Sequence, residues 1–427
     1  MRSLKWFQIV FRFKKWLISG ILGLLLLAAS LVVLLKDANI GPVQWGISIL
    51  LAVLGLYGIL ICLRRIFIKF VNVYSKGILK KPSNVSEIGD IIYKRKILAL
   101  GPKVVTIGGG TGTSTLLRGL KEYTSNITAI ITVADDGGGS GALRNDLGML
   151  PPGDIRNCIL ALAETEPVME KLLSYRFNEG SLKGQSFGNL FLAAMNGISG
   201  SFEQAVKHMC DVLAVTGRVF PVTEENINLI AELEDGTVIR GESSIGSHNA
   251  THPGRIKRIR LSKPSVKPVK QAVDAIYEAD VIVLGPGSLY TSIIPNLLVE
   301  EIVEAIISSR AIKVYVCNIM TQPGETDGYT VSDHISAIDF HAGRRIIDIC
   351  VANRSNIRPE ILKRYNDDGS DQVEIDYAKI KSMGIRLIEK DMASYKNDVV
   401  RHNSDLLAQT IMDIAKSTLI IPGRKRH

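Results

Sequence analysis

The 427-residue chain is short of cysteine throughout and of acid in its first quarter. Its five cysteines, at 62, 158, 210, 317 and 350, are odd in number, widely spaced and without a C-x-x-C pair. That pattern excludes a disulfide framework and a cysteine zinc site, and it fits a reducing compartment. Residues 1–103 carry 16 Lys or Arg against three acids, Asp37, Glu87 and Asp90. The rest of the chain therefore holds 35 basic and 39 acidic side chains, a net of about −4. The overall +9 belongs to the N-terminal quarter, so nucleic acid is not an expected partner of the globular part. No Ser/His/Asp or Cys/His arrangement with a recognisable local context is present. His248 and His252 have metal-like i, i+4 spacing, but His-Asn-Ala-Thr-His-Pro-Gly reads as a loop rather than a helix.

Charge is also missing from two long runs, Trp16–Leu35 and Trp45–Leu63. Each is long enough as a helix to cross about 30 Å of hydrocarbon, and neither shows a polar face. A second span follows the first, which argues against a cleaved signal peptide. Arg2, Lys5, Arg12, Lys14 and Lys15 precede the first run, and Arg64, Arg65, Lys69, Lys76, Lys80 and Lys81 follow the second. The connection KDANIGPVQ is neutral, so the expected topology puts both termini and the globular domain in the cytoplasm of a two-span cell-membrane protein. Residues 1–63 are read as the transmembrane hairpin. Residues 64–97 form a basic juxtamembrane linker suited to anionic lipid or simply to water, and 98–427 form the globular domain.

From Lys103 onward, short β-branched runs alternate with helical ones. KVVTIG, ITAIITV, VIVLG and KVYVCNIM read as strands, and STLLRGLKEY, DIRNCILALAE, DAIYEA and VEEIVEAIISS as helices. Continuous apolar strands between amphipathic helices predict an α/β, Rossmann-like parallel sheet with helices on both faces. Residues 218–262, with acidic turns and alternation, predict a small antiparallel excursion. The tail after 355 reads as helical and polar.

Five stretches carry candidate chemistry. In VTIGGGTGTS, Gly108, Gly109, Gly110, Thr111, Gly112 and Thr113 stand between a strand and a helix N-terminus, the arrangement that receives phosphate. A tight turn needing φ > 0 would explain one or two of these glycines, not four in five residues. The lysine of a P-loop is absent, and so is the third glycine of the dinucleotide fingerprint. Asp135 and Asp136 in ADDGGG sit at the end of the next strand. They suit a ribose hydroxyl or Mg²⁺ beside a diphosphate, with a solvated turn as the alternative. In PPGDIRNC, Asp154 is either a ligand residue or a helix N-cap, and Asn157 faces away from the apolar stripe. Asn189 follows a glycine in SFGNLF, a pattern equally suited to capping. Finally, Gly285, Gly287, Ser288 and Tyr290 in LGPGSLYTS repeat the opening logic, while NIMTQPGETDGY offers Glu325, Thr326 and Asp327.

Taken in order, GGGTGTS, ADDGG, PPGDIRN, SFGNL, GPGSLYTSIIPNLL and NIMTQPGETDGYTVSDH resemble the gluconeogenesis-factor family (YvcK-like proteins). That family is a branch of the CofD-like, 2-phospho-L-lactate transferase superfamily. The resemblance is dense from Lys103 to His341. It implies a Rossmann-like core binding a nucleoside diphosphate, with UDP-sugars such as UDP-N-acetylglucosamine as ligands. It also implies a role in cell shape and envelope synthesis, and it assigns no reaction. Ala142 stands where the family pattern has a basic side chain, and the hairpin is an addition found in a subset of members. Two alternatives remain: a Mg²⁺-dependent transferase of a 2-phospholactyl-type group, and an NAD(P) oxidoreductase. A homodimer is also expected as one option.

Overall fold

The computed structural model describes residues 14–35, 41–75, 93–165, 167–247, 254–396 and 398–419. His248 and His252 lie outside these. The chain divides into two compact units, Met1–Lys96 and Ile97–His427.

The first unit pairs helices α1 (Lys14–Leu35) and α2 (Pro42–Ser75). Small residues set their approach. A Cβ on Gly23 would lie 2.6 Å from the Gly55 carbonyl oxygen, and Gly20 faces Cys62. Nearer the turn, the Ser30 and Ser48 hydroxyls are 2.8 Å apart, which satisfies two polar groups that lipid would strand. Outward-facing leucines such as Leu24 and Leu56 are left exposed among the described residues. Both helices are long and apolar enough to cross a membrane. The second continues without a break past Leu63 to Ser75, so the basic segment after the apolar run begins as helix.

The second unit is organised by seven parallel strands in the order β10-β9-β8-β7-β1-β2-β3. These are β1 (Val104–Gly108), β2 (Ile127–Ile131), β3 (Arg218–Pro221), β7 (Val281–Leu284), β8 (Ile312–Val316), β9 (Ile349–Asn353) and β10 (Arg386–Lys390). The residues of β1, β2, β7 and β9 are all buried, because helices cover both faces; this is why they read as unbroken apolar runs. A separate antiparallel sheet holds β4 (Leu229–Leu233), β5 (Val238–Arg240) and β6 (Ile256–Leu261).

Two expectations need correction. The antiparallel excursion starts at Leu229 rather than 218, since Arg218–Pro221 pairs parallel with β2 and forms an edge of the main sheet. The region after 355 is not purely helical. It supplies β10 at the opposite edge, and a hairpin of β11 (Ala393–Lys396) and β12 (Val399–His402). Arg386–Lys390 carries charge at both ends because an edge strand buries only part of its length, and that charge hid its period.

Candidate functional site

Strand order runs outward in both directions from β1 and β7, which are adjacent and parallel with Val104 opposite Val281 and Ile107 opposite Leu284. Both strands therefore end together, at the reversal point where open α/β sheets receive ligands. The two glycine loops leave from there and pack on each other. Helix α3 (Gly110–Leu120) starts earlier than the apolar spacing suggests, so Thr111, Gly112 and Thr113 lie in its first turn. A Cβ on Gly112 would lie 2.4 Å from the Pro286 carbonyl oxygen, to which the Thr113 hydroxyl donates at 3.4 Å. Two asparagines hold the loops. Asn296 Nδ2 donates to the Gly108 carbonyl at 3.1 Å. Asn318 Nδ2 donates to the Gly287 carbonyl at 2.8 Å, and its Oδ1 accepts from Gly287 N–H at 3.3 Å.

The opening of α3 has no side-chain cap on Gly109. Gly110 has φ +67°, a region where a side chain is strained. Gly109 has no room for one either, since a Cβ would sit 2.6 Å from Asp154 Oδ2. Asp154 belongs to the PPGDIRN stretch and lies in the first turn of helix Gly153–Leu162, but it does not cap that helix. Its carboxyl lies instead against the opening of α3, close to Gly109 and Gly110. Burial, reinforced by the charge of Asp135, pushes Asp154 up to about 6. Glu242, unremarked in the sequence, is pushed up to about 7 by burial and by the neighbouring Asp135, Glu325, Asp154 and Asp136.

The two adjacent aspartates have different surroundings, and both are half-buried rather than exposed. Asp136 Oδ2 accepts from Glu242 N–H at 3.1 Å and its Oδ1 from Ser243 N–H at 2.9 Å, so this carboxylate ties the acidic turn to the antiparallel insertion. Asp135 Oδ1 accepts from Gly137 N–H at 2.9 Å, and its Oδ2 faces Gly153. Each Asp136 oxygen accepts one backbone N–H and keeps a further lone pair, so this carboxylate, like Asp135, has acceptor capacity left for a cation. Mg²⁺ beside a diphosphate needs only one or two protein carboxylates, and Asp135 is close enough to Asp154 for its charge to raise that group. Among the described residues, no group of three or more His, Cys, Asp or Glu is placed to hold a metal unaided.

A cavity of about 210 Å³ opens beside the glycine loops. Thr111 and Gly112 form one wall, Pro286 to Ser288 another, and residues 318–322 a third. Tyr365 and Val400–His402 close it. His402 Nε2 donates to the Cys317 carbonyl at 3.1 Å, and burial lowers its imidazole to about 4, so it is neutral at ordinary pH. Arg401 is exposed and forms no ion pair among the described residues.

Other candidates lie apart from the cavity. Tyr290 is 2 % exposed, with its hydroxyl 2.7 Å from that of Tyr329 and its ring against His341. Thr326 is fully buried and accepts from Gln322 N–H at 2.9 Å, closing a turn. Its neighbour Glu325 accepts from the Ser288 hydroxyl and so reaches the second glycine loop. Asn157 Oδ1 accepts from Arg156 at 2.6 Å, and Arg156 donates to Ser186, the residue that caps the helix containing Asn189. The stretches PPGDIRN and SFGNL thus meet, but around Arg156. Alongside Ala142, Arg144 turns inward to the Ile227 carbonyl and Asn228 Oδ1, both at 2.7 Å. Glu242, Asn318, Arg401 and His402 went unnoticed in the sequence. Only Asn318, beside TQPGETDGY, carried a local signal.

The reversed-order parallel sheet with paired glycine loops at its switch point lies within a CofD-type domain. The family described as 2-phospho-L-lactate transferase CofD matches residues 104–393. Within that class the chain belongs to the gluconeogenesis factors. It is 48 % identical to the gluconeogenesis factor of Bacillus subtilis (strain 168) over 74 % of this chain and 98 % of that one. A Clostridium acetobutylicum relative, also named among the gluconeogenesis factors, is 47 % identical over 97 % of this chain and 93 % of its own, a span that takes in the apolar helices. A crystal structure of a family member from Bacillus halodurans is 48 % identical, covers 72 % of this chain and 98 % of that chain, and superposes with a TM-score of 0.70.

Proposed function

We propose that this gluconeogenesis factor is a membrane-anchored binder of nucleoside-diphosphate sugars that regulates envelope synthesis and cell shape. One observation carries the binding reading: both glycine loops end on adjacent parallel strands and abut at the mouth of one cavity. The α3 N-terminus supplies N–H groups and a positive dipole end for a diphosphate. At about 210 Å³ the cavity is smaller than a typical whole-ligand pocket of roughly 300–1,000 Å³. It suits part of a nucleotide sugar, with the remainder lying along the sheet edge and Arg401 available to an anionic group. Mg²⁺ held by Asp135 and Asp154 would neutralise the diphosphate against the carboxylates around it. The same arrangement supports the second reading, a Mg²⁺-dependent transferase of a 2-phospholactyl-type group, which product analysis would reveal as turnover.

The binding test is thermal. UDP-N-acetylglucosamine at a hundred times its Kd should stabilise the fold by about 2.7 kcal/mol. If NAD(H) or NADP(H) raises the melting temperature and UDP-N-acetylglucosamine does not, the site is a dinucleotide site and the proposal fails.

The anchoring half rests on the two apolar helices and on the basic residues that flank them. A phosphatase reporter inserted near Gly41 should be active, and one fused after Leu63 inactive. The reverse pattern would refute the topology.

A further inference from the structure

A second cavity, of about 250 Å³, opens at the other end of the central strands from the glycine loops. Lys103, Asn126 and Gly217, which directly precede β1, β2 and β3, are among the residues around it. Its polar lining is Lys103, Ser125, Asn126, Thr128, Arg218 and Glu278. Arg218 Nη2 donates to the Thr128 hydroxyl at 3.1 Å, and the guanidinium lies 5.9 Å from the centre of the Phe220 ring, so this cation is held in place. Lys103 Nζ is 2.9 Å from Glu278 Oε2, an exposed pair of the weak kind. Two cations thus line the cavity against one carboxylate. The glycine-loop site makes no use of them.

Beside the cavity the surface is apolar. Asn126 Nδ2 donates to the Ala99 carbonyl at 3.1 Å and to the Gly101 carbonyl at 2.7 Å, and the Ser125 N–H donates to the Leu98 carbonyl at 3.0 Å. The residues that line the cavity therefore also fix segment 97–101 next to it. In that segment Leu98 is buried, whereas Ile97 and Leu100 are 48 and 69 % exposed. Ile97 is also where the chain enters this unit, at the end of the basic linker that follows the two apolar helices. Cations for phosphate and outward aliphatic side chains for the interface are the two components of a lipid-facing surface. A soluble anion would use the cations and have no need of Leu100. A nucleic-acid strand would want aromatic faces to stack on, and among the described residues no aromatic side chain lines this cavity.

We propose that this edge of the sheet is a docking site for anionic phospholipid, with a headgroup phosphate seated between Lys103 and Arg218 and with Ile97 and Leu100 dipping into the interfacial layer. The proposal rests on the anchoring reading and is independent of what the glycine loops bind. Arginine suits the role, because its planar fork meets two phosphate oxygens at once. Glu278 opposes it, since that carboxylate competes with the phosphate for Lys103.

The test uses the full chain in nanodiscs, made of phosphatidylcholine alone or with phosphatidylglycerol added, and reads amide hydrogen exchange. Two cations at an anionic surface should favour docking by about tenfold. Exchange over residues 97–103 should slow by about that factor when phosphatidylglycerol is present. The hairpin at 393–402, which borders the glycine-loop cavity, should not change. The double variant Lys103→Gln, Arg218→Gln should lose the slowing, and Glu278→Gln should deepen it. A merely structural role for these exposed side chains would not give opposite signs. A chain that does not enter nanodiscs overturns the anchoring reading and this site with it. A chain that enters and exchanges equally in both lipids overturns the site alone, as does a double variant that still responds to phosphatidylglycerol. Inorganic phosphate added to the chain in detergent should leave 97–103 unprotected. Equal protection there would make this a soluble-anion site and refute the lipid.

Discussion

Replacing Gly112 with alanine should cost about 1–3 kcal/mol of stability and remove nucleotide binding. The added methyl would stand 2.4 Å from the Pro286 carbonyl oxygen, 2.7 Å from its carbon and 3.1 Å from the Gly287 nitrogen. All three are backbone atoms, and Gly287 is already clamped by Asn318. No side chain can swing aside, so the two loops must separate. Separation moves the α3 N-terminus away from the wall formed by Pro286 to Ser288, which is why binding should suffer more than stability alone explains. Gly246→Ala is the control: the space around its missing Cβ is empty. There the substitution should leave binding intact and change stability by at most about 1 kcal/mol in the favourable direction. Denaturant unfolding and calorimetric titration measure both quantities. If Gly112→Ala binds and unfolds like the wild type, the loops do not abut as described.

The second large effect is a change in the sign of the pH dependence. Asp154 and Glu242 are pushed up to about 6 and about 7 by burial and by mutual repulsion with their carboxylate neighbours. A carboxyl whose folded value is raised contributes stability that is complete below its unfolded value and lost as pH rises through the folded one. The apo protein should therefore gain stability from these two groups as pH falls from about 8 to about 5. Diphosphate binding without metal brings more negative charge beside them and favours their protonated forms. Affinity in EDTA should then rise on acidification, by up to about tenfold per pH unit for each proton taken up. With Mg²⁺, the Asp154 carboxyl serves as an anion, and acid competes with the cation. Affinity should then fall on acidification. Titrations of a UDP-sugar across that range, with EDTA and with Mg²⁺, give slopes of opposite sign. Flat profiles in both media would place Asp154 and Glu242 outside the reach of the diphosphate.

The central strands were legible in the sequence because they are buried on both faces, which writes a run of apolar residues that no helix face would produce. KVVTIG and VIVLG read as strands and fall on β1 and β7. The edges were harder to read. Arg218–Pro221 sits beside acidic turns and reads as part of the antiparallel excursion, and Arg386–Lys390 is charged at both ends. Edge strands half in water obey neither period cleanly. Glycine in the opening loop signalled close approach correctly, but not what approaches. Gly112 meets the Pro286 carbonyl, and Gly109 meets a carboxyl 45 residues away in sequence. Asp135 and Asp136 look equivalent on paper. Only the fold shows that both Asp136 oxygens accept from the backbone of the insertion. Arg401 and His402 were invisible for a similar reason, since a cavity wall supplied by a late hairpin has no local signature.

The contact between Gly112 and Pro286 has a consequence for when the candidate site forms. The two loops come from strands separated by the β2–β3 segment and the entire antiparallel insertion, so Val104 and Val281 meet only by closing a loop of all that intervening chain. Contacts this remote in sequence form slowly, because the entropy of closing the intervening loop is lost before they are rewarded. Neither loop has its partner wall until the centre of the sheet closes. A half-folded chain emerging from the ribosome therefore has no competent cradle, however complete its first loop. Ligand capture should appear in the last kinetic phase of refolding, and it reports on the whole sheet rather than on either half.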